Sequence, residues 1–309
     1  MPIDKAVKKL GAKIVDDNTS GANTLARMAV EALISQINKS YDTFIQDIEE
    51  TFKFLLNTRP SMAPLINGMA VIMNEIFNNY DKMTLEELKI RAITKGEQYL
   101  KESELAIKQI AELSDKIIKN NNVILTHSMS KTVLEIFQHN KDRNLKIILT
   151  ESRPQLEGIK FAKILAKEFP VTLIVDSAIG YFIKKEKIDL ILVGSDSILA
   201  NGSIINKIGT YPLALLAHEN NIPFYVATES SKFNLKSFFG IEVIIEEKPK
   251  KEILSEEITG VDPKNVYFDI TPSHLITSII SEIGIFSPEQ FIKNITNKLQ
   301  FNWLKKYLI

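Results

Sequence analysis

The sequence predicts an α/β protein, a helical N-terminal domain followed by a Rossmann-like domain with a mainly parallel sheet. Three observations carry this. Up to about residue 118, apolar side chains recur three and four apart, the period that gives a helix one sticky face. From residue 123 onward, short apolar runs alternate with amphipathic segments of helical length. Strands that are almost continuously apolar and alternate with helices belong to parallel sheets covered on both faces. Between the two textures lies the polar "KNNN" at 119–122, the expected boundary between domains at 1–119 and 120–309.

Taken in order, "NTLARMAVEALISQI" and "YDTFIQDIEETFKFLL" each read as an amphipathic helix. A longer helix is expected over 84–118, opened by Thr84 with Glu87 three residues on, the spacing of a capping box. Leu85, Leu88, Ala92, Leu100, Ile107, Ile110, Leu113 and Ile117 form its buried stripe. Seven strands are then expected at "VILT" (123–126), "KIILT" (146–150), "VTLIV" (171–175), "DLILVG" (189–194), "PFYVAT" (223–228), "EVIIE" (242–246) and "VYFDI" (266–270). The mixed-charge "EEKPKKEILSEEI" (246–258) reads as a solvated loop or edge helix. Sheets of this kind hold ligands beyond the carboxyl ends of their strands, near a change in strand order. The polar turns after the runs are therefore the places to search.

A chain of 309 residues can bury a large core and divide in two. Lys+Arg and Asp+Glu are equal at 38 each, so no net field draws the chain to nucleic acid or to an anionic membrane, and direct binding to either is not expected. The absence of cysteine removes disulfides, thiolate metal sites and cysteine catalysis. The N-terminal "MPIDKAVKKLGAKIVDD" carries charges throughout and does not read as a signal peptide. No apolar run approaches the roughly 20 residues of a membrane helix, so a cytoplasmic globular protein is expected. The four histidines lack zinc-ligand spacing, and no Walker loop or GxGxxG fingerprint occurs, so neither metal nor cofactor is expected.

Four turns carry unusual polar groups: "THSMS" (126–130), "TESRPQLEG" (150–158), "VDSAIG" (175–180) and "GSDSILANGSIINKIGT" (194–210). Each has a plain reading. Ser128 and Ser130 can cap a helix beginning near Lys131, and Asp196 can cap a turn. Arg153, ahead of Pro154, is either a surface cation or, beside a helix N-terminus, part of a phosphate site. The last turn runs seventeen residues with three glycines, and Asn206 and Lys207 stand just before a helix opening at Thr210. There a lysine and backbone amides would hold a small anionic ligand.

"THSMSKTVLEIF", "ESRPQLEGIKFAKILA", "VDSAIGYFI", "GSDSILANGSIINKIGTYPLALLA" and "YFDITP", in this order, resemble one superfamily. It joins the regulatory alpha, beta and delta subunits of translation initiation factor 2B with ribose-1,5-bisphosphate isomerase and methylthioribose-1-phosphate isomerase. The resemblance spans about 120–280 and is looser over the helical region. It implies the same two-domain fold and a homodimer or higher oligomer. The isomerases use a cysteine in a "THC" turn and an aspartate in a "GAD" turn as an acid/base pair. Asp196 matches the aspartate, whereas Ser128 stands at the cysteine, and a hydroxyl is a far poorer proton carrier than a thiol.

The resemblance also implies ligand-binding positions. Arg59 in "TRPSMAP" matches a phosphate-contacting arginine, and Asn206 with Lys207 match an asparagine–lysine pair. Ser20 and Gly21 in "SGAN" fall on an "RGA" motif, so the arginine is lost. Glu157 replaces the glutamine of a "TRPxxQG" turn and adds a carboxylate that repels phosphate. The expectation is thus an alpha-like regulatory subunit of the archaeal kind, without catalysis. It would bind initiation factor 2, with that factor's alpha subunit as the candidate contact, and a sugar phosphate or nucleotide monophosphate. The alternative is an aldose–ketose isomerase of the ribose-1,5-bisphosphate type.

Overall fold

A computed structural model describes residues 3–17, 21–59, 62–297, 299 and 301–308. The chain divides into two compact units. One comprises Met1–Leu105, Ser231–Val243 and Lys298–Ile309, and the other Ala106–Ser230 with Ile244–Asn297.

The first unit is built on helices α1 (Lys5–Asp16), α2 (Ala22–Lys39), α3 (Phe44–Leu56) and α4 (Ala63–Asn79), with the start of α5 (Leu85–Leu113) and the short α10 (Leu235–Phe238). Their three- and four-residue apolar spacing becomes a core: Val30, Leu33, Ile48, Phe52, Met69 and Ile72 are fully buried. Burial of each such side chain contributes roughly 1.5–3 kcal/mol. The capping box at the head of α5 is formed: the Thr84 amide donates to Glu87 at 2.9 Å and the Glu87 amide to Thr84 Oγ1 at 3.4 Å. Of the expected stripe, Leu88, Ala92, Ile107 and Ile110 are buried and the other four half-buried. The last residues fold back into this unit, where Trp303 meets Phe52 and Phe77 edge-on at ring-centroid distances of 5.9 and 4.9 Å. Trp303 also donates to Asn74 at 3.0 Å.

The second unit holds a seven-stranded sheet. Its strands are β1 (Val123–Thr126), β2 (Lys146–Thr150), β3 (Val171–Ile174), β4 (Leu190–Val193), β7 (Phe224–Ala227), β9 (Ser278–Ser281) and β10 (Gly284–Phe286). They lie in the order β10-β9-β7-β4-β1-β2-β3, all parallel except β10. A small antiparallel sheet joins β5 (Ser197–Ile198), β6 (Ile204–Lys207) and β8 (Phe268–Thr271).

Side chains alternate across the large sheet into two cores. Leu125, Ile191 and Val193 pack with α8 (Ile179–Lys185), α9 (Thr210–Glu219) and α11 (Pro288–Thr296). Ile124, Leu190 and Leu192 pack with α6 (Lys131–His139) and α7 (Glu157–Leu165). Helices on both faces are what a parallel sheet of apolar strands requires. Among the described residues no helix is long and apolar enough to cross a membrane.

Three expectations need correction. "EVIIE" forms no strand; Ile244 is 71% exposed there, and an apolar run without a partner strand has nothing to pair with. "VYFDI" supplies β8 of the small sheet, not a parallel strand of the large one. The seventeen-residue turn contains β5 and β6, while β9 and β10 have no counterpart among the expected strands.

Candidate functional site

Chain order reverses at β1: β2 and β3 continue to one side, β4, β7 and β9 to the other. The carboxyl ends of β1 and β4 therefore flank the switch point at which such sheets hold ligands.

His127, the first residue after β1, is 1% exposed. Its Nε2 lies 2.9 Å from the Ile208 carbonyl oxygen, which can only accept, so Nε2 carries the proton. Nδ1 then accepts from Thr150 Oγ1 at 2.5 Å. Burial holds the imidazole below its ordinary pKa, and both nitrogens are engaged, so it is a neutral tie between turns. Ser128 is next, with φ at 66°, a left-handed conformation uncommon outside glycine. Its amide donates to Ser152 Oγ at 2.9 Å and its hydroxyl to Glu157 Oε1 at 2.9 Å. Ser130, and not Ser128, caps α6 by accepting from the Val133 amide.

The turn after β2 is held by Asp176, whose two oxygens accept from the amides of Ser152 and Arg153 at 2.8 and 2.7 Å. Glu157 opens α7, and its Oε1 also meets Lys207 Nζ at 2.9 Å; the two side chains are 15% and 8% exposed. Glu157 Oε2 is buried and accepts from no group among the described residues. Lys207 extends from β6, with Nζ 3.4 Å from Gln155 Oε1 and 4.9 Å from the centre of the Tyr267 ring. Burial, and secondarily the Glu252 carboxylate that its hydroxyl meets at 2.5 Å, push Tyr267 up to about 12.

Of the residues singled out from sequence, Ser128, Glu157 and Lys207 are thus joined by direct bonds. Asp196 lies in the turn after β4. A side chain at Gly194 would come within 2.6 Å of Ser130 Oγ, so this turn lies against the one after β1. The Asp196 amide donates to the Ile205 carbonyl at 2.9 Å. Asn206 gives Nδ2 to Thr210 Oγ1 at 3.0 Å, at the head of α9. Arg153 is exposed and reaches the Glu252 carbonyl at 3.3 Å. Gly21 and Arg59 belong to the other unit. Gly21 is the N-cap position of α2, and Arg59 donates to the carbonyls of Ile14, Val15 and Asp17 at 3.0, 2.9 and 2.8 Å. Ser20 lies outside the described residues.

The amides at the head of α9 do not await a phosphate. Asp269 accepts there from Gly209 at 2.8 Å and from Tyr211 at 3.1 and 3.2 Å. The physical reason is register: β8 pairs with β6 so that Asp269 stands opposite Asn206, a contact sixty residues long that the turn itself does not announce. Asp176, Asp269, Ser152 and Tyr267 are absent from the residues that sequence reasoning selects. The available signal is an acid immediately after an apolar run, as Asp176 stands after "VTLIV".

Burial raises Asp269 to about 6 from 3.8, against the pull of the Tyr211, Gly209 and Thr210 amides. A folded value above the ordinary one stabilises the fold below about pH 3.8 and is lost as pH rises through about 6. Asp269→Asn is therefore expected to remove about 3 kcal/mol of pH dependence between those limits. Urea unfolding at intervals across that range checks this. Parallel curves for variant and parent would refute it.

The profile of the initiation factor 2 subunit family matches residues 18–288. A ribose 1,5-bisphosphate isomerase of Archaeoglobus fulgidus is 37% identical over 301 residues, covering 96% of this chain and 94% of that protein. A ribose 1,5-bisphosphate isomerase of Methanocaldococcus jannaschii is 33% identical, covering 97% of each. The crystal structure of translation initiation factor eIF-2B from Pyrococcus horikoshii OT3 superposes with a TM-score of 0.77 at 32% identity, covering 94% of this chain and 99% of that one. The expectation of a regulatory subunit without catalysis is corrected by these matches. Proteins named as isomerases align with nearly the whole chain, through the very turns on which that expectation rested.

Proposed function

We propose that this chain, which belongs to the initiation factor 2 subunit family, is an aldose–ketose isomerase of a phosphorylated pentose, with ribose 1,5-bisphosphate as the first substrate to try. The observation that carries the reading is the buried Lys207 beside a carboxylate and a hydroxyl, joined to the turns beyond the carboxyl ends of β1 and β2. A buried cation suits a phosphorylated ligand, and the acceptor Glu157 suits sugar hydroxyls.

Isomerisation moves a hydrogen from C2 to C1 and opens the ring, so it needs two proton carriers within reach of the sugar. Asp196, after β4, is assigned as one of them. The Ser128 hydroxyl cannot replace a thiol unaided, since no base but Glu157 is bonded to it among the described residues.

The test is conversion of ribose 1,5-bisphosphate, read by phosphorus and carbon NMR. The panel includes other ribose phosphates and, as binding controls, nucleoside monophosphates. A new ketose carbonyl at C2 is the expected result. A chain that converts no pentose phosphate in the panel would reject the reading.

A further inference from the structure

A chain that isomerises a pentose phosphate without a thiol must carry a substitute for it. On the isomerase reading, we propose that Glu157 is that substitute, a catalytic base whose carboxylate is positioned by Ser128 and paired with Lys207.

Among His127, Asp176, Asp269 and Lys207, which surround these turns, none is placed as Glu157 is. His127 has both nitrogens engaged, one with Thr150 and one with the Ile208 carbonyl. Asp176 spends its two oxygens on the amides of Ser152 and Arg153. Asp269 spends its own on the head of α9. Lys207 is a cation already paired. Glu157 differs from all of these. Its Oε1 accepts from both Ser128 and Lys207, while its Oε2 is buried and accepts from no group among the described residues.

A buried acceptor with no donor costs on the order of 1–3 kcal/mol. A purely structural ion pair has no reason to keep that cost, because buried pairs are favourable only when the remaining lone pairs are satisfied. A site that must take up a proton during its cycle does have such a reason. The terminal torsion of glutamate is soft and two-fold, so small rotations can present either oxygen to a ligand. The carboxylate that sequence casts as repelling the substrate therefore supplies what the serine cannot.

Glu157 takes the proton from C2, and the C–H electron pair forms the C1–C2 double bond. The bond from C1 to the ring oxygen breaks, and that oxygen takes a proton from Asp196. The enol hydroxyl on C2 then returns its proton to Asp196, its electrons form the C2 carbonyl, and C1 takes the proton held by Glu157. One hydrogen has moved from C2 to C1, the ring is open, and both carboxyl groups are restored.

The experiment measures ribose 1,5-bisphosphate turnover and, by calorimetry, affinity for the wild type, Glu157→Gln, Ser128→Ala and Ser128→Cys/Glu157→Gln. Glu157→Gln is expected to lose about a thousandfold in kcat while Kd moves by less than about threefold, because glutamine keeps an acceptor oxygen for a sugar hydroxyl and loses only the base. Ser128→Ala, which removes only the positioning hydroxyl, should lose about tenfold with its pH profile unchanged. The double variant should recover activity over Glu157→Gln, since it pairs a thiol with a neutral amide. Should Glu157→Gln fold poorly, Glu157→Asp keeps the charge but shortens its reach, and should lose about a hundredfold in kcat with binding retained. An active wild type whose Glu157→Gln variant keeps more than about a tenth of kcat overturns the inference and leaves the isomerase reading standing. A wild type that turns over no pentose phosphate overturns both.

Discussion

Replacing Lys207 with methionine will destabilise the protein by about 3 kcal/mol, the lower end of what breaking a buried ion pair costs. The pair is 2.9 Å long, and its side chains are 8% and 15% exposed, so solvent does little to replace the lost partner. Methionine keeps the length and the apolar contacts of the lysine stem, which isolates the charge as the cause. What remains is a carboxylate held, among the described residues, only by the Ser128 hydroxyl. Adding Glu157→Gln to the same chain removes that stranded charge, so the double variant should regain about 2 kcal/mol over Lys207→Met alone. Urea midpoints of the four proteins in the cycle give the coupling directly. A double variant no more stable than Lys207→Met would show that the pair is not the source.

Gly158→Ala is expected to cost about 3 kcal/mol or more, above most overpacking changes, because the obstruction is backbone. A methyl group there would lie 1.9 Å from the Thr150 carbonyl oxygen and 2.9 Å from the backbone of Glu151. No side chain can swing away to make room. The head of α7 would have to lift off the end of β2, breaking the bond from the Gly158 amide to the Glu151 carbonyl at 3.2 Å. Glu157, the adjacent residue, would be carried out of reach of Ser128 and Lys207, so ligand affinity should fall together with stability. Gly180→Ala is the matched control. Its nearest neighbours are side-chain atoms of Leu216 at 3.9 and 4.0 Å, and its melting temperature should match or exceed the parent's. If both glycine variants melt alike, the close approach of α7 to β2 is wrong.

Most of the large sheet was legible because its strands advertise themselves. "VILT", "KIILT", "VTLIV", "LILV" and "FYVA" belong to a sheet covered on both faces, so nearly every residue is apolar and the signal is local. "EVIIE" shows the limit of that reasoning, since hydrophobicity marks a strand only where a partner edge exists. The short β5, β6 and β8 were illegible for the opposite reason: β6 and β8 pair across about sixty residues of chain, and polar residues such as Asn206 and Asp269 face one another there. The site divides in the same way. Its turns could be found by their place after strands, and Ser128, Glu157 and Lys207 each stood out. Their mutual bonding did not, because a hydroxyl on one turn and a carboxylate on another carry no shared spacing. Sequence therefore cast Glu157 as an obstacle to phosphate when geometry makes it the partner of two other site residues.

The helical unit recruits Trp303, far along the chain from its first helices, and this bears on how the protein is made. Trp303 packs against Phe52 and Phe77 and bonds to Asn74 across 229 positions of sequence. A ribosome adding roughly 5–20 residues per second needs on the order of 10–50 s to bridge that gap. The helices that carry Phe52 and Phe77 leave the ribosome well before Trp303, so the aromatic cluster that finishes their core cannot form until Trp303 has emerged. In the interval, the ring faces of Phe52 and Phe77 lack their partner and are exposed to chaperones and proteases. A chain cut before Trp303 would lose more than one residue's contacts: helices made long before it would never complete their packing.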